Sequence, residues 1–304
     1  MLSVQPEQAR TLSAIVTHGT FDAAAAQLSV TPSAVSQRIR ALEVAVGRPV
    51  LRRLRPVELT EAGQAVVRFA RQLDLLSMDL ADELDLNASP ARPRLVVVIN
   101  SDSLNTWALP GLAAVAGSVQ LEVLREDQEH SLDLLRSGIA AAAITAAATP
   151  VPGCSSRRLG VMRYWPVCSR EFVERWFPSG VTASTLPEAP VITYDRRDDL
   201  QDRYLDRYQL GPDGRSAPRH YIPAAQEFAD AIRLGMGWGM LPDMQVGREV
   251  EQGTLQRLDS NGFVDVALHW QQWRHGAAAL AKVATAISEA ARVLRQEESS
   301  GVPS

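Results

Sequence analysis

The amino-acid sequence indicates an α+β protein of several domains: an N-terminal winged helix-turn-helix, a long linker helix, and a C-terminal region of two α/β lobes. In the stretch from Phe21 to Glu43, two helical segments flank a turn rich in Ser, Thr and Pro. From Leu59 to Leu80, apolar residues recur every three or four positions. From Arg94 onward, short apolar strands alternate with helical stretches. We therefore expect a helix-turn-helix domain at 1–58, a linker helix at 59–90 and a two-lobed α/β domain at 91–304.

Length and composition fit a globular protein. The 304 residues are 46% hydrophobic, enough for two or three domains with buried cores. No apolar run is long enough to span a bilayer, and the N-terminus lacks a signal-peptide pattern, so we expect a cytoplasmic protein with no membrane partner. The net charge is -4, yet residues 1–58 hold seven arginines against four acidic residues, which leaves a local basic face possible.

The turn and the helix after it are predicted to contact DNA. Thr31 or Ser33 is suited to cap the second helix, and Val35, Ile39 and Leu42 follow the spacing of a buried stripe. An ordinary solvated helix face would look similar, but such faces usually mix Glu and Lys, whereas the polar positions here carry no acid. Hydroxyl, amide and guanidinium groups hydrogen-bond phosphates and base edges. The residues predicted to contact DNA here are Thr31, Pro32, Ser33, Ser36, Gln37 and Arg40.

A short hairpin is predicted after this helix. Gly47 ends the helix, and Val50, Leu51 and Leu54 are placed to pair as strands. We expect an arginine-bearing tip that holds phosphates beside the reading helix. The arginines predicted at this tip are Arg52, Arg53 and Arg55.

The linker helix is predicted to run from about residue 61 to 86. Thr60 is a suitable N-cap, Glu61 favours the positive end of the helix dipole, and the segment NASPARP that starts at Asn87 cannot continue a helix. An apolar stripe with this spacing either joins two copies as a two-helix seam or packs on its own domain. The stripe consists of Leu59, Ala62, Val66, Phe69, Leu73, Leu76 and Leu80.

The C-terminal region contains two sets of apolar strand candidates that alternate with helices, which indicates parallel sheets. The first set comprises 94–100, 119–127 and 139–145, and the second comprises 189–195, 219–224 and 237–242. Ligands of open α/β sheets bind beyond the carboxyl ends of strands, where helix N-termini offer free N–H groups. The segment NSDSLNTW, which begins at Asn100, lies at such a place.

Polar groups in that segment are candidates for holding the ammonium and carboxylate of an amino acid. The candidates are Ser101, Asp102, Ser103 and Thr106, with Trp107 as a possible wall of the pocket. Ser101 or Asp102 can instead simply cap the helix, because capping and binding use the same groups. Three acids at strand ends, Glu126, Asp127 and Asp195, are candidates for pairing with a cationic side chain, although each alone is more often a solvated loop acid.

Catalytic and metal-binding patterns are not found. The five histidines have no HExxH spacing, and no GxSxG, P-loop or strand-linked GxGxxG is present. Cys154 and Cys168 fit neither a disulfide framework nor a zinc site. Gly235, Gly237 and Gly239 are expected to let a strand bend and approach its neighbours. We expect no cofactor, no metal and no enzymatic activity.

The run from Phe21 through the LTEAG that ends at Gly63 resembles the N-terminal domain of LysR-type transcriptional regulators. The resemblance implies homodimers or homotetramers on a double-stranded operator, with RNA polymerase as a possible partner. It also implies a DNA-binding domain at 1–58, a dimerisation helix at 59–90 and an effector domain at 91–304 that is like a periplasmic binding protein. Its lobes, lobe 1 about 91–162 and 270–304 and lobe 2 about 163–269, would be joined by crossing strands at Val161–Cys168 and Phe263–Trp273.

The segments VVVINSDSLNTWALP, LEVLREDQEHSLDLLRSG and ITYDRRD resemble one LysR-type branch, the lysine- and arginine-responsive regulators of basic amino-acid export. Some members of that branch are described as inhibitors of chromosome initiation. An architectural or replication-control DNA binder with little effector response is therefore the alternative.

Overall fold

The computed structural model describes residues 3–52, 57–84, 92–126, 128–210 and 217–296. The chain divides into two compact units. The first contains residues 1–100, 111–157 and 269–289, and the second contains 101–110, 158–268 and 290–304. No helix in the described ranges is both long and apolar enough to cross a membrane.

The predicted helix-turn-helix is confirmed. Its three helices are α1 (Pro6–His18), α2 (Phe21–Gln27) and α3 (Pro32–Val46). Thr31 caps α3, since its hydroxyl accepts a hydrogen bond from the backbone N–H of Ala34 at 3.2 Å. Gly47 ends α3 with a φ of 76°, a left-handed conformation that glycine adopts without strain. Leu12, Ile15, Val35, Ile39 and Leu42 form the core between these helices.

The hairpin after α3 is present, and its register corrects one prediction. Strands β1 (Leu51–Arg52) and β2 (Glu58–Leu59) pair antiparallel. Leu51 pairs with Leu59 and Arg52 pairs with Glu58, so Arg52 lies within a strand and not at the tip of the hairpin. The other predicted tip residues, Arg53 and Arg55, lie outside the described residues.

The linker helix α4 spans Glu61–Glu83, and the Thr60 hydroxyl caps it by accepting the Gly63 N–H at 3.1 Å. The predicted stripe is not one continuous seam. Its first part, Ala62 and Val66, is buried in the core of the helix-turn-helix domain. The exposed part has a heptad-like spacing and continues one step further than predicted, comprising Phe69, Leu76, Leu80 and Leu84.

The first unit also contains the parallel sheet predicted from the first set of strands. Strand β3 (Arg94–Val98) lies between β4 (Gln120–Leu124) and β5 (Ala142–Thr145), and both pairings are parallel. The C-terminal part of a long strand, residues 269–272, pairs antiparallel with β5. The accompanying helices are the main part of α6 (Leu109–Val115), α7 (Gln128–Arg136) and α12 (Ala278–Ala290), whereas the short helix α5 (Ser101–Ser103) belongs to the second unit.

Within this unit, side chains of α4 bind the ends of two helices. The guanidinium groups of Arg68 and Arg71 donate hydrogen bonds to the carbonyls of Arg136 (3.0 Å) and Gly138 (2.5 Å) at the end of α7. Asp79 accepts the N–H of Ala278, the first residue of α12, at 2.7 Å. Cations therefore meet a helix C-terminus and an anion meets a helix N-terminus, as helix dipoles favour.

The second unit is built around the long strand β6 (Cys154–Ser169), which pairs antiparallel with β9 (Gly239–Pro242) and β10 (Leu255–Arg257). Strands β7 (Val191–Thr193) and β8 (Arg219–Tyr221) form a parallel pair. The other elements are α8 (Arg170–Trp176), α9 (Leu200–Leu205), α10 (Ala225–Arg233), α11 (Asp243–Glu251) and β11 (Val264–Trp273).

The chain passes from one unit to the other within β6 and within β11. The predicted crossing Phe263–Trp273 begins one residue before β11 and contains the change of unit between residues 268 and 269, whereas in β6 the change lies between residues 157 and 158, before the predicted crossing Val161–Cys168. The expected close approach of glycines is also observed. A Cβ at Gly237 or Gly239 would lie 2.9 Å from the side chain of Ile192 or Ile232, so both positions require the absence of a side chain.

Candidate functional site

The exposed face of α3 presents the polar residues that the sequence predicted for DNA contact. Ser33, Gln37 and Arg40 are exposed, and Ser36 is half-buried. Thr31 and Pro32 begin the helix, and the Thr31 hydroxyl lies 2.9 Å from that of Ser33. Hydroxyl, amide and guanidinium groups thus share one exposed face of the helix, with the hydroxyls at its N-terminal end, where a major-groove reader carries its base-contacting residues.

The arginines of this domain differ in whether their guanidinium groups are held by other side chains. Arg38, also on α3, is partly buried and lies 3.4 Å from Glu7 and 3.5 Å from the Thr11 hydroxyl, so it ties α3 to α1. No ion pair among the described residues engages Arg40 or the exposed Arg52. These two guanidinium groups are therefore available for phosphates or bases.

Polar groups of the second unit converge at α5. The Asp102 carboxylate accepts a hydrogen bond from the Tyr164 hydroxyl of β6 at 2.9 Å. The Ser101 hydroxyl lies 2.9 Å from the Tyr194 hydroxyl, just after β7. Both side chains thus point to distant tyrosines, and these contacts go beyond simple helix capping.

The backbone directly after α5 is irregular. Residues Leu104–Ala108 form a π-helical turn before α6, and such turns in α-helices occur frequently at functional sites. The Thr106 hydroxyl donates to the backbone carbonyl of Asp102 at 2.6 Å, which stabilises this turn. Ser103 and Trp107 are buried, with 0% and 3% of their surface exposed.

The predicted strand-end acids have different surroundings. Asp195 accepts the backbone N–H groups of Arg197 and Asp198 with one carboxylate oxygen, so it organises its own loop. Glu126 belongs to the first unit, where it is exposed and its backbone carbonyl accepts a long bond from Ser131. Asp127 lies outside the described residues.

Asp198 is an acid that the sequence reasoning missed. Its carboxylate accepts the N–H groups of Tyr194 (2.9 Å) and Leu200 (3.1 Å), and its charge acts on Asp102. Tyr164 and Tyr194 were missed as well. Tyr194 and Asp198 belong to the stretch ITYDRRDD, which follows an apolar strand as NSDS does, and this shared placement was the available signal.

Burial perturbs the ionisation of this cluster. Burial raises the pKa of Asp102 to about 6, the Tyr164 hydrogen bond opposes the shift, and the Asp198 charge adds to it. Burial, followed by the charge and hydrogen bond of Asp102, raises the pKa of Tyr164 well above its ordinary value. Burial also raises the pKa of Asp198, against its hydrogen bonds.

The cluster is suited to a cation. The charges of two carboxylates, Asp102 and Asp198, act on each other, and no ion pair to either occurs among the described residues. The Tyr164 hydroxyl contacts Asp102, the hydroxyls of Ser101 and Tyr194 contact each other, and all three can turn to donate or accept. An ammonium or guanidinium group would supply the missing positive charge.

The described part of the chain contains neither a metal-binding cluster nor a reactive thiol. No group of three or more His, Cys, Asp or Glu is placed there to hold a metal ion. Cys154 and Cys168 are buried free thiols, and burial raises the pKa of Cys168 to about 12, which leaves it unreactive.

Comparison with known proteins gives matches over both parts of the chain. Residues 6–64 match the family described as bacterial regulatory helix-turn-helix protein, lysR family, and residues 88–295 match the LysR substrate binding domain. The lysine export transcriptional regulatory protein LysG of Corynebacterium efficiens is 41% identical over 295 residues, which cover 95% of this chain and 98% of that protein.

Two solved structures resemble the whole chain. The crystal structure of ArgP from Mycobacterium tuberculosis has a TM-score of 0.88 at 39% identity and covers 96% of this chain and 98% of that one. The full-length LysG from Corynebacterium glutamicum with bound effector Arg has a TM-score of 0.84 at 36% identity and covers 96% of this chain and 99% of that one.

Proposed function

Because the chain belongs to the LysR family of bacterial helix-turn-helix regulators, we propose that it is a transcriptional regulator that senses lysine or arginine and controls an amino-acid exporter gene. One observation carries the effector assignment: the partly buried Asp102 carboxylate meets only a tyrosine hydroxyl and the charge of a second acid among the described residues. The relative named for lysine export and the arginine-bound LysG support the choice of amino acid and of target gene.

In this proposal the effector's charged groups have separate partners. Asp102 binds an ammonium or guanidinium group, and Asp198 adds to the negative potential of the site. Ser101, Ser103 and Thr106, with N–H groups at the start of the helix, hold the carboxylate. Trp107 packs behind them, and Asp195 keeps the loop that carries Asp198 in place.

The N-terminal domain binds a double-stranded operator. The exposed polar face of α3 enters the major groove, and Arg40 and Gln37 contact base edges. Arg52 and its undescribed neighbours Arg53 and Arg55 hold phosphates beside it. The protein works in the cytoplasm and catalyses no reaction.

Two copies join through the exposed stripe of α4. The stripe exposes between 43% and 57% of the surface of each of its residues, Phe69, Leu76, Leu80 and Leu84. Exposing large apolar side chains to water is unfavourable in free energy unless a partner covers them. A parallel or antiparallel helix pair places two reading helices on two half-sites. Effector binding then shifts how dimers pack into tetramers, which changes DNA bending and contact with RNA polymerase.

Calorimetric titration tests the effector assignment. The full chain is titrated with lysine, arginine and norleucine, the last of which has a lysine-like side chain without the terminal charge. We expect binding of lysine or arginine only, and loss of at least tenfold in affinity in Asp102→Asn, because the remaining amide cannot pair with a cation. Asp199→Asn is the matched control, since Asp199 is an exposed acid in the adjacent loop.

If none of the three amino acids binds while the protein still protects DNA, the sensor proposal is refuted. Broad binding to AT-rich DNA with a steep salt dependence would then favour an architectural role.

Operator binding tests the division of labour on DNA. Arg40→Ala should reduce the ratio of operator to random-sequence affinity, by roughly 1–3 kcal/mol for one base contact. Arg52→Ala should lower both affinities more evenly and reduce the salt slope by about one. An equal loss of discrimination in both variants would contradict the assignment.

A further inference from the structure

The carboxyl group of Asp102 is placed where a bare negative charge is unfavourable. Within the described part of the chain, the group accepts one hydrogen bond, at 2.9 Å, from the Tyr164 hydroxyl, and Tyr164 is itself only 3% exposed. The Thr106 hydroxyl donates to the backbone carbonyl of Asp102, so this hydrogen bond does not stabilise the carboxylate. A partly buried carboxylate with a single donor is poorly stabilised compared with one that accepts two or three.

The loop after β7 acts on Asp102 through a negative charge, while its two arginines, Arg196 and Arg197, are exposed and Arg196 lies over the ring of Tyr221. Asp198 contributes a second carboxylate whose field repels the first. Tyr194 lies against the hydroxyl of Ser101 rather than against Asp102. Asp195 uses one carboxylate oxygen for backbone N–H groups of its own loop.

The described end of the C-terminal segment, which packs on the π-helical turn, supplies no ion pair to Asp102 either. Its arginines are Arg292, which is exposed, and Arg295, which pairs with Asp243 at 2.9 Å. Among the described residues, therefore, Tyr164 is the one donor and Asp198 the one charged group that acts on Asp102.

Elementary electrostatics gives the resting state of such a group. Removing a carboxylate from water and placing it near another carboxylate favours the neutral form, so the group gains a proton unless a cation arrives. The rise of the Asp102 pKa to about 6 is in the direction that this arrangement requires. A protonated Asp102 can also share a hydrogen bond with the Tyr164 hydroxyl, because both then carry a donor and an acceptor.

We infer that the site takes up its cationic effector in exchange for a proton: the empty site tends to hold a hydrogen on Asp102, and an arriving ammonium or guanidinium group displaces it to solvent. The inference rests on the proposed function. The exchange is balanced, since the carboxyl O–H bond breaks, the proton goes to water, and the carboxylate left behind pairs with the effector cation. Effector affinity then depends on pH, and the regulator responds to proton concentration as well as to amino-acid concentration.

The expected size of the effect follows from the protonated fraction. With half of the sites protonated near pH 6, lysine should bind about tenfold more weakly near pH 5 than near pH 7.5. The number of protons released per lysine should rise from nearly zero at about pH 7.5 to about one half at pH 6 and about 0.9 at pH 5. The affinity and the proton count must change together, because both report the same equilibrium.

Calorimetry measures both quantities directly. The full chain is titrated with lysine and with arginine at about pH 5, 6 and 7.5, each in two buffers of different ionisation enthalpy. The difference in observed heat between the buffers gives the protons released per ligand bound.

A tyrosine variant gives a readout that a merely structural role would not change. Tyr164→Phe removes the hydrogen bond that stabilises the ionised carboxylate, so the pH of half-maximal proton release should move upward. Tyr208→Phe is the matched control, because it removes a hydroxyl that pairs with Tyr204 and not with Asp102. Its release profile should match that of the unaltered chain.

The outcomes separate this inference from the function on which it rests. Lysine or arginine binding with equal affinity and no proton release at every pH overturns the exchange and leaves the sensor proposal intact. Release that persists unchanged in Tyr164→Phe also overturns it, because the proton then comes from another group. Absence of binding at every pH refutes the proposed function itself, and the exchange with it.

Discussion

Replacing Asp102 with asparagine should make the stability of the empty protein less dependent on pH. The side chain keeps its size and can still accept the Tyr164 hydrogen bond, but it can no longer ionise. Burial raises the pKa of Asp102 from 3.8 to about 6. At 1.36 kcal/mol per unit, this shift corresponds to a destabilisation of about 3 kcal/mol when the carboxyl is fully ionised.

The direction follows from proton linkage. The folded-state pKa lies above the unfolded value, so the neutral carboxyl's contribution is fully present below the unfolded pKa near 4 and is lost as pH rises to about 6. Between pH 5 and pH 8 the unaltered chain should lose about 1.4 kcal/mol through this group, and Asp102→Asn should lose none of it. For a domain of this size, that difference corresponds to roughly 3–6 °C in Tm.

Thermal unfolding of the full chain, with no lysine or arginine added, measures this pH dependence of the Tm. The Tm difference between Asp102→Asn and the unaltered chain is recorded at about pH 5 and pH 8, and the variant's advantage should be larger at pH 8. Asp199→Asn, which removes an exposed acid from the adjacent loop, should show no such change between the two pH values. An Asp102→Asn difference that is the same at both pH values would refute the assignment of a buried carboxyl with a raised pKa.

Three further predictions concern the framework. Thr31→Ala should destabilise the N-terminal domain by about 0.5–2 kcal/mol, because α3 loses its cap, and circular dichroism on heating measures the loss. Gly138→Ala should cost clearly more stability than Gly47→Ala: both have positive φ, but only at Gly138 would the new Cβ meet backbone, 2.9 Å from a Cα of α4. Equal losses would contradict the close contact. Leu80→Glu should weaken self-association in sedimentation experiments by burying a charge in the α4 seam, whereas Leu234→Glu, which is 80% exposed elsewhere, should not.

Elements that depend on neighbours in sequence were predictable. The cap of Thr31, the stripe of Val35, Ile39 and Leu42, and the glycine that ends α3 all act within one or two helical turns, so their spacing encodes the helix. The parallel strands β3, β4 and β5 were predictable for a similar reason, because short apolar runs alternate with helical stretches along the chain.

Contacts between distant parts of the chain were not predictable in this way. The two halves of the α4 stripe have the same periodicity, and only the packing of Ala62 and Val66 on the helix-turn-helix core distinguishes buried from exposed positions. Likewise, the position of Arg52 opposite Glu58 depends on strand register, which spacing alone does not specify.

The candidate effector site shows the same division. The sequence by itself determined that polar residues, Asp102 among them, follow a buried strand at the start of a helix. Tertiary structure decided what surrounds that carboxyl, because Tyr164 lies 62 residues away in sequence and Tyr194 lies 93 residues from Ser101. Periodicity reports which face of an element is buried, but not which distant group meets it, and the ionisation of Asp102 depends on those distant groups.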